Sequence, residues 1–224
     1  MGRLFLTKFS EVEGGRFDPD YTSKIEYLNT LKSKYPFVQL KHILEKQPQY
    51  GANEEAVDGN SQTDTRYIRI TDIDEIGNLK STGWKTASNV ENRYLLAEND
   101  ILFARSGSVG KCYIHKSTEN KAIFAGYLIR FVFNNQVNPD YAFYYCNSKL
   151  YWLWISMIQR PAVQSNINSE EFKSLQIPLP PLSKQTEIAN HISSIRKQAQ
   201  QRQNEASLIL QQTKRKIEQI ILGE

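Results

Sequence analysis

Residues 178–181 read Pro-Leu-Pro-Pro, and from there to Gly223 the chain contains neither proline nor glycine. No other stretch constrains the fold as strongly. Proline fixes φ and lacks an amide donor, so Pro178, Pro180 and Pro181 exclude a central strand or a helix interior and leave a rigid elbow. Beyond the elbow Ser183 offers an N-cap, Glu187 brings negative charge to the first turns, and Gly223 ends the run. The spacing predicts one helix of some forty residues, about 60 Å long at about 1.5 Å per residue.

A rod of that length needs a partner. Ile188, Ile192, Ile195, Ala199, Arg202, Ala206, Ile209, Thr213, Lys216 and Ile220 recur at alternating steps of four and three. They form a heptad seam that is apolar at both ends and weak in the middle. Ile217 and Ile221 take over the stripe near the end, the drift expected of a nearly straight helix, so a short helical pairing is expected rather than a long supercoil. Folding back on its own domain would leave such a helix overshooting a body of this size.

With 224 residues and 40% hydrophobic content, the chain can bury a sizeable core, and one domain carrying an arm fits its length. Arg, Lys or Asn interrupts every apolar stretch short of a membrane span, and no signal-peptide core opens the sequence, so a cytoplasmic protein without membrane association is expected. Cys112 and Cys146 are the only cysteines, and His42, His115 and His191 are scattered. Neither a disulfide framework nor a metal site is expected, and no cofactor.

The net charge of +4 does not by itself announce a nucleic-acid protein. Its distribution says more. Residues 66–130 carry 10 basic and 7 acidic side chains, and residues 183–224 carry 7 and 4, whereas residues 1–65 carry 8 and 10. Arg66, Arg69, Lys80, Lys85, Arg93, Arg105 and Lys111 alternate with Tyr67, Trp84, Tyr94, Phe103 and Tyr113, a mixture suited to phosphate contacts beside apolar support or to an ordinary solvated surface.

Residues 20–34 read as an amphipathic helix leading into the domain, Phe37–Leu40 as a first strand, and residues 47–65 as an irregular loop. Tyr67–Thr71, Ile101–Arg105, Lys111–His115 and Ala122–Phe133 read as strands, the last apolar on both faces and therefore interior. Pro139 opens a helix that runs through Ile158, with Tyr141, Tyr144, Ser148, Tyr151, Ile155 and Ile158 on one side. The fold class is α+β: a globular domain with a twisted, mostly antiparallel sheet and flanking helices, followed by a long C-terminal helix.

Three segments imitate catalytic motifs. Gly107-Ser-Val-Gly-Lys111 resembles the end of a phosphate-binding loop, but Arg105 and Cys112 stand where that loop needs Gly and Ser or Thr, and a strand follows the lysine. A tight turn between strands explains it better. Asn138-Pro-Asp-Tyr141 resembles the Asn-Pro-Pro-Tyr tetrapeptide of adenine-N6 methyltransferases, yet no Gly-rich cofactor loop accompanies it and a Pro-led helix start accounts for it. Pro19-Asp20 and Glu119-Asn-Lys121 are too far apart for a nuclease pattern and fit turns.

The elbow and rod resemble the specificity subunits of type I restriction-modification systems, which place a proline-rich segment, a Gln and a run like Glu187-Ile188-Ala189 between a target-recognition domain and a spacer helix. Tyr67–Ile73 (YIRITDI) is similar to an early strand of that family, and Asn99–Lys111 (NDILFARSGSVGK) to its most recognisable central motif. Phe124–Ile129 and Val163–Ile167 are similar to its later strand and loop. The resemblance spans residues 35–222 in order. Members commonly hold two recognition domains and two spacer helices, so this chain looks like a half-subunit: residues 1–181 a DNA-reading domain, residues 182–224 a spacer and dimerisation helix.

The resemblance implies a non-catalytic subunit that binds double-stranded DNA and reads one half of a bipartite target. It also implies a methyltransferase subunit and an ATP-dependent restriction subunit as partners, and a homodimer formed through antiparallel rods along Ile188, Ile192, Ile195, Ala199, Ala206, Ile209, Ile217 and Ile220. Candidate DNA-facing residues are Lys85 in the polar loop, Arg105, Ser106 and Lys111 at the strand turn, and Arg160, Gln164 and Asn166 after the aromatic helix. Arg105 suits guanine, and Gln164 or Asn166 adenine. Two other functions compete: a small adenine-N6 DNA methyltransferase, and a helical scaffold without DNA affinity.

Overall fold

The structure, a computed structural model, describes residues 33–80, 82–117, 119–159 and 166–223. Ten strands are present among them: β1 Phe37–Gln39, β2 Gln49–Tyr50, β3 Ala56–Asp58, β4 Arg66–Ile68, β5 Lys85–Ala87, β6 Ile101–Ala104, β7 Cys112–Ile114, β8 Ala122–Phe124, β9 Leu128–Phe131 and β10 Gln176–Pro178. The α-helices are α1 Pro139–Tyr145, α2 Lys149–Ile158, α3 Ser169–Lys173 and α4 Leu182–Leu222. All but the last two residues of the helix expected over 20–34 lie outside the described residues, and those two are not helical.

The central sheet has the order β2-β9-β6-β7 and is antiparallel throughout. Strand β6 is buried on both faces. Ile101 and Phe103 point into the main core with Phe131, Tyr151, Phe172 and Ile177, while Leu102 and Ala104 face a second cluster with Ile68, Ile73 and Phe124. Alternation with apolar residues on both sides places a strand between two layers, and here α1, α2 and α3 supply one layer and the β4–β8 region the other. Among the two-stranded ribbons, β3–β5 and β1–β10 are antiparallel and β4–β8 is parallel.

Several boundaries differ from the sequence reading; the strand expected over Tyr67–Thr71 ends at Ile68 and gives way to a 3-10 turn over Ile70–Asp72. The strand expected over Ala122–Phe133 is two strands: β8 pairs with β4, β9 joins the central sheet, and the chain turns between them where Leu128 N donates to Ala125 O at 2.8 Å. Gly126 marks the break, as glycine within a strand pattern often does. The helix expected from Pro139 to Ile158 is interrupted, because Asn147 turns its side-chain amide back to Phe143 O (2.8 Å) and Ser148 caps α2. The segment 47–65 contains β2 and β3 rather than loop alone. The long helix starts one residue before Ser183, with Pro181 at the N-cap position and no side-chain cap.

The elbow lies flat against the head. Strand β10 ends on Pro178 and pairs with the edge strand β1, a position where a missing amide is tolerated. Gln185, in the first turns of α4, is fully buried. Its Nε2 donates to Pro180 O and Gln136 O, both at 2.9 Å, and its Oε1 accepts from Asn138 N at 2.8 Å. From Lys197 to Gly223 every residue of the rod is exposed. No helix among the described residues is long and apolar enough to cross a membrane.

Candidate nucleic-acid interface

The turn joining β6 to β7 is tight because Gly107 and Gly110 both take positive φ, 67° and 86°. Its first residue, Arg105, is gripped by backbone on two sides: Arg105 N donates to Tyr127 O at 3.0 Å, and Ile167 N donates to Arg105 O at 2.8 Å. Ser106 and Asn166 form an isolated antiparallel bridge. Across it, Arg105 Nε donates to Asn166 Oδ1 at 3.2 Å, and the guanidinium lies 4.9 Å from the Tyr50 ring centroid. The Tyr50 hydroxyl accepts from Ser169 N at 3.1 Å, at the start of α3, whose N-cap Asn168 forms a capping box with Glu171. Three of the sequence candidates, Arg105, Ser106 and Asn166, thus meet on one face although Asn166 lies 61 residues from Arg105 in the chain.

Arg105 differs from its basic neighbours. Arg69 pairs with Asp72 at 2.7 Å, Arg93 with Glu91 at 3.0 Å, Lys85 with Asp58 at 2.5 Å, and Lys80 Nζ caps Thr71 O at 2.8 Å. The hydrogen bond from Lys85 holds the Asp58 carboxyl below its ordinary pKa, and the one Arg69 donates to Asp72 raises the Arg69 guanidinium above its own. Arg66 stacks 4.9 Å from the Trp84 ring centroid and reaches Lys80 O. Among the described residues Arg105 has no carboxylate partner, and its Nη1 and Nη2 make no hydrogen bond. An aromatic face and an amide oxygen hold its orientation while its fork stays available.

Lys111 is corrected. It is buried, and its Nζ donates to Glu75 Oε1 at 2.9 Å and Ile73 O at 3.2 Å, so the ammonium faces the interior side of the turn rather than a phosphate. Lys85 sits on the β3–β5 ribbon, with no contact to the Arg105 group among the described residues. Arg160 and Gln164 lie outside the described residues. The sequence reading also missed Tyr50 and Tyr127. Tyr50 carried no local signal, and Tyr127, assigned to a buried strand face, stands in the β8–β9 turn with 62% of its surface exposed.

The imitative motifs resolve into structure. Asn138 caps α1, its Oδ1 accepting from Asp140 N and Tyr141 N, and the Tyr141 hydroxyl donates to Pro178 O at 2.6 Å. Burial pushes the Cys112 thiol up to about 12 and raises Cys146 well above its usual range, so both stay protonated at neutral pH.

On the rod, Ile188 packs against the main core and Ile192 is half-buried, so those two seam positions serve the head. Ile195, Ala199, Ala206, Ile209, Ile217 and Ile220 are exposed.

The family described as the type I restriction modification DNA specificity domain matches this chain over residues 29–208. The chain belongs to that family. A chain from a type I R-M system, solved to explain its complex assembly and conformational transition, is similar over 80% of this chain and 43% of its own length, with a TM-score of 0.56 and 16% identity. The HsdS subunit of Thermoanaerobacter tengcongensis matches over 80% of this chain and 42% of its own, with a TM-score of 0.52 and 16% identity. The S subunit of a type I restriction-modification system from M. genitalium matches over 75% and 41%, at 0.50 and 14%. These likenesses concern the α+β fold with its long helix. The specificity-family chain described here spans 41 to 43% of the length of those structures.

Proposed function

We propose that this specificity-family chain is the non-catalytic, DNA-reading component of a type I restriction-modification complex and that it reads one half of a bipartite target. Residues 1–181 are the reader and residues 182–224 the spacer. The meeting of Arg105, Ser106 and Asn166 beside Tyr50 carries the reading. The bond from Arg105 Nε to Asn166 Oδ1 gives the guanidinium fork a fixed direction suited to guanine O6 and N7, and Tyr127, whose carbonyl accepts from Arg105 N, has an exposed ring. Arg160 and Gln164, which precede Asn166 in the sequence, are further candidates for base or phosphate contact. Lys85 is a phosphate contact from the neighbouring ribbon. Lys111 has a structural role.

Two copies pair through antiparallel rods along Ile195, Ala199, Ala206, Ile209, Ile217 and Ile220, which sets two identical readers in inverted orientation over an interrupted palindrome. Methylation and ATP-driven cleavage belong to the modification and restriction subunits.

The test is coexpression with the cognate modification subunit, followed by mapping of methylated bases across the host genome. An interrupted, symmetric motif is expected, and methylation without one would refute the reading. In the same complex, Arg105→Ala should weaken DNA retention by about 1–3 kcal/mol and relax specificity at one base position, whereas Lys85→Ala should lower the salt slope by about one. Lys111→Ala should lower the midpoint of unfolding and leave the salt slope alone.

A further inference from the structure

We infer that the turn Asp74–Asn78 is a bracket and Arg196 its positioning residue, together fixing the angle of the rod and hence the number of base pairs between the two half-sites. The spacing part rests on the proposed function; the bracket does not.

Polar contacts fasten the rod at two separated points, with Ile188 and Ala189 packed on the head between them. At its base Gln185 is clasped by Gln136, Asn138 and Pro180. Further out, Arg196 Nη2 donates to Ile76 O at 2.7 Å and Asn78 Oδ1 at 3.2 Å, and its guanidinium lies 5.3 Å from the Phe143 ring centroid and 5.5 Å from that of Tyr144. Beside this outer contact a cavity of about 450 Å³, lined by Leu79, Lys116, Asp140, Tyr144, Ser193 and Arg196 among others, opens between rod and head. Beyond the apolar packing of Ile188, Ala189 and Ile192, the outer contact is therefore a polar clamp beside an open cavity.

The bracket is itself rigid. Asp74 Oδ1 accepts from Ile76 N at 2.9 Å and Asn78 N at 2.8 Å, and Asp74 Oδ2 accepts from Asn78 Nδ2 at 3.0 Å. Gly77 takes φ +83°, and a Cβ there would meet Cys112 O at 2.6 Å and the Phe143 ring at 2.7 Å, so the turn is seated against β7 and α1 in one way. Lys111 holds the turn from the opposite side through Ile73 O and Glu75. The loop that presents Arg105 and the clamp that holds the rod are thereby tied through the segment Ile73–Asn78.

Leverage gives the clamp its consequence. Gln185 and Arg196 are about 17 Å apart along the helix and Gln185 and Leu222 about 55 Å, so a shift of about 1 Å at Arg196 moves the rod's far end by about 3.4 Å. That equals about one base-pair rise of B-DNA.

The experiment uses the full chain with the modification subunit. Spin labels at Glu45→Cys and Gln211→Cys, diluted with unlabelled chain, report head-to-rod distance; the buried native cysteines stay unlabelled. Arg196→Ala should broaden or shift that distance by about 2 Å or more, since Gln211 lies about 39 Å from Gln185 along the helix and moves about 2.4 Å for each 1 Å at Arg196, with helix content unchanged. Arg196→Lys should fall between it and the parent, and Lys197→Ala should match the parent. In methylation mapping, Arg196→Ala should add motifs one base pair longer or shorter than the parental spacing, whereas mere loss of stability would lower methylation at the parental spacing alone. An unchanged label distance overturns the bracket. A changed distance with a single unchanged spacing overturns its control of spacing. If the parent itself gives no interrupted motif, the proposed function fails while the distance still decides the bracket.

Discussion

The first four turns of α4 and its remaining seven obey different rules within one uninterrupted helix. The proximal part is locked by buried polar and small residues: Gln185 with three backbone partners, Ala189 in the core, Arg196 spread across two rings and a turn. The distal part leaves its large apolar residues in water, with Ile220 and Ile221 exposed at 72% and 75%. Helix propensity supports both halves alike, so the difference lies in what each half has to pack against. A helix fixed at one end and bare at the other is complete as a lever and incomplete as a packing element.

That contrast is open to direct test. The largest effect should come from Gln185→Ala, which strands Asn138 N and two carbonyls; a loss of about 3 kcal/mol on urea unfolding is expected. Gln201→Ala on the exposed half should change stability by less than about 0.5 kcal/mol. Equal costs at the two sites would erase the distinction. Next, Ile217→Asp together with Ile220→Asp should leave unfolding of the head unchanged but weaken self-association by about 2 kcal/mol or more, read by sedimentation equilibrium. A parent chain that stays monomeric at high concentration would leave the distal stripe without the partner proposed for it.

The smallest effect concerns pH and belongs to the head. His115 is buried, with its Nδ1 3.1 Å from the Tyr113 hydroxyl, and desolvation lowers its pKa below the ordinary 6.5. In that window the unfolded chain binds a proton that the folded chain does not, so stability is full above pH 6.5 and falls as pH drops toward the folded value. His115→Gln should flatten this acid limb in a pH series of thermal melts, whereas Gln201→Ala on the rod should leave it as it is.

Much of this was legible in the residues. The proline elbow, the long helix and its exposed stripe followed from φ restriction and periodicity, which act locally and survive any tertiary context. The β6–β7 turn follows from its glycines, and Arg105 and Ser106 stand at that turn in the sequence, whereas nothing local brings Asn166 to them. Lys111 was misplaced because a lysine beside a turn reads as solvent-facing, and only the approach of Glu75 and Ile73, some 36 to 38 residues earlier, turns it inward. Tyr127 was misplaced because alternation alone does not reveal that Gly126 bends the strand out of register.

The sequence alone therefore determined the fold class, the elbow, the long helix and the principal strands, since dihedral preference and hydrophobic period are properties of neighbours in the chain. Tertiary structure alone decided which charges are consumed inside the head, which remain available at its surface, and at what angle the rod leaves. Those outcomes depend on distances between residues far apart in sequence, where burial and partner geometry outweigh any local preference.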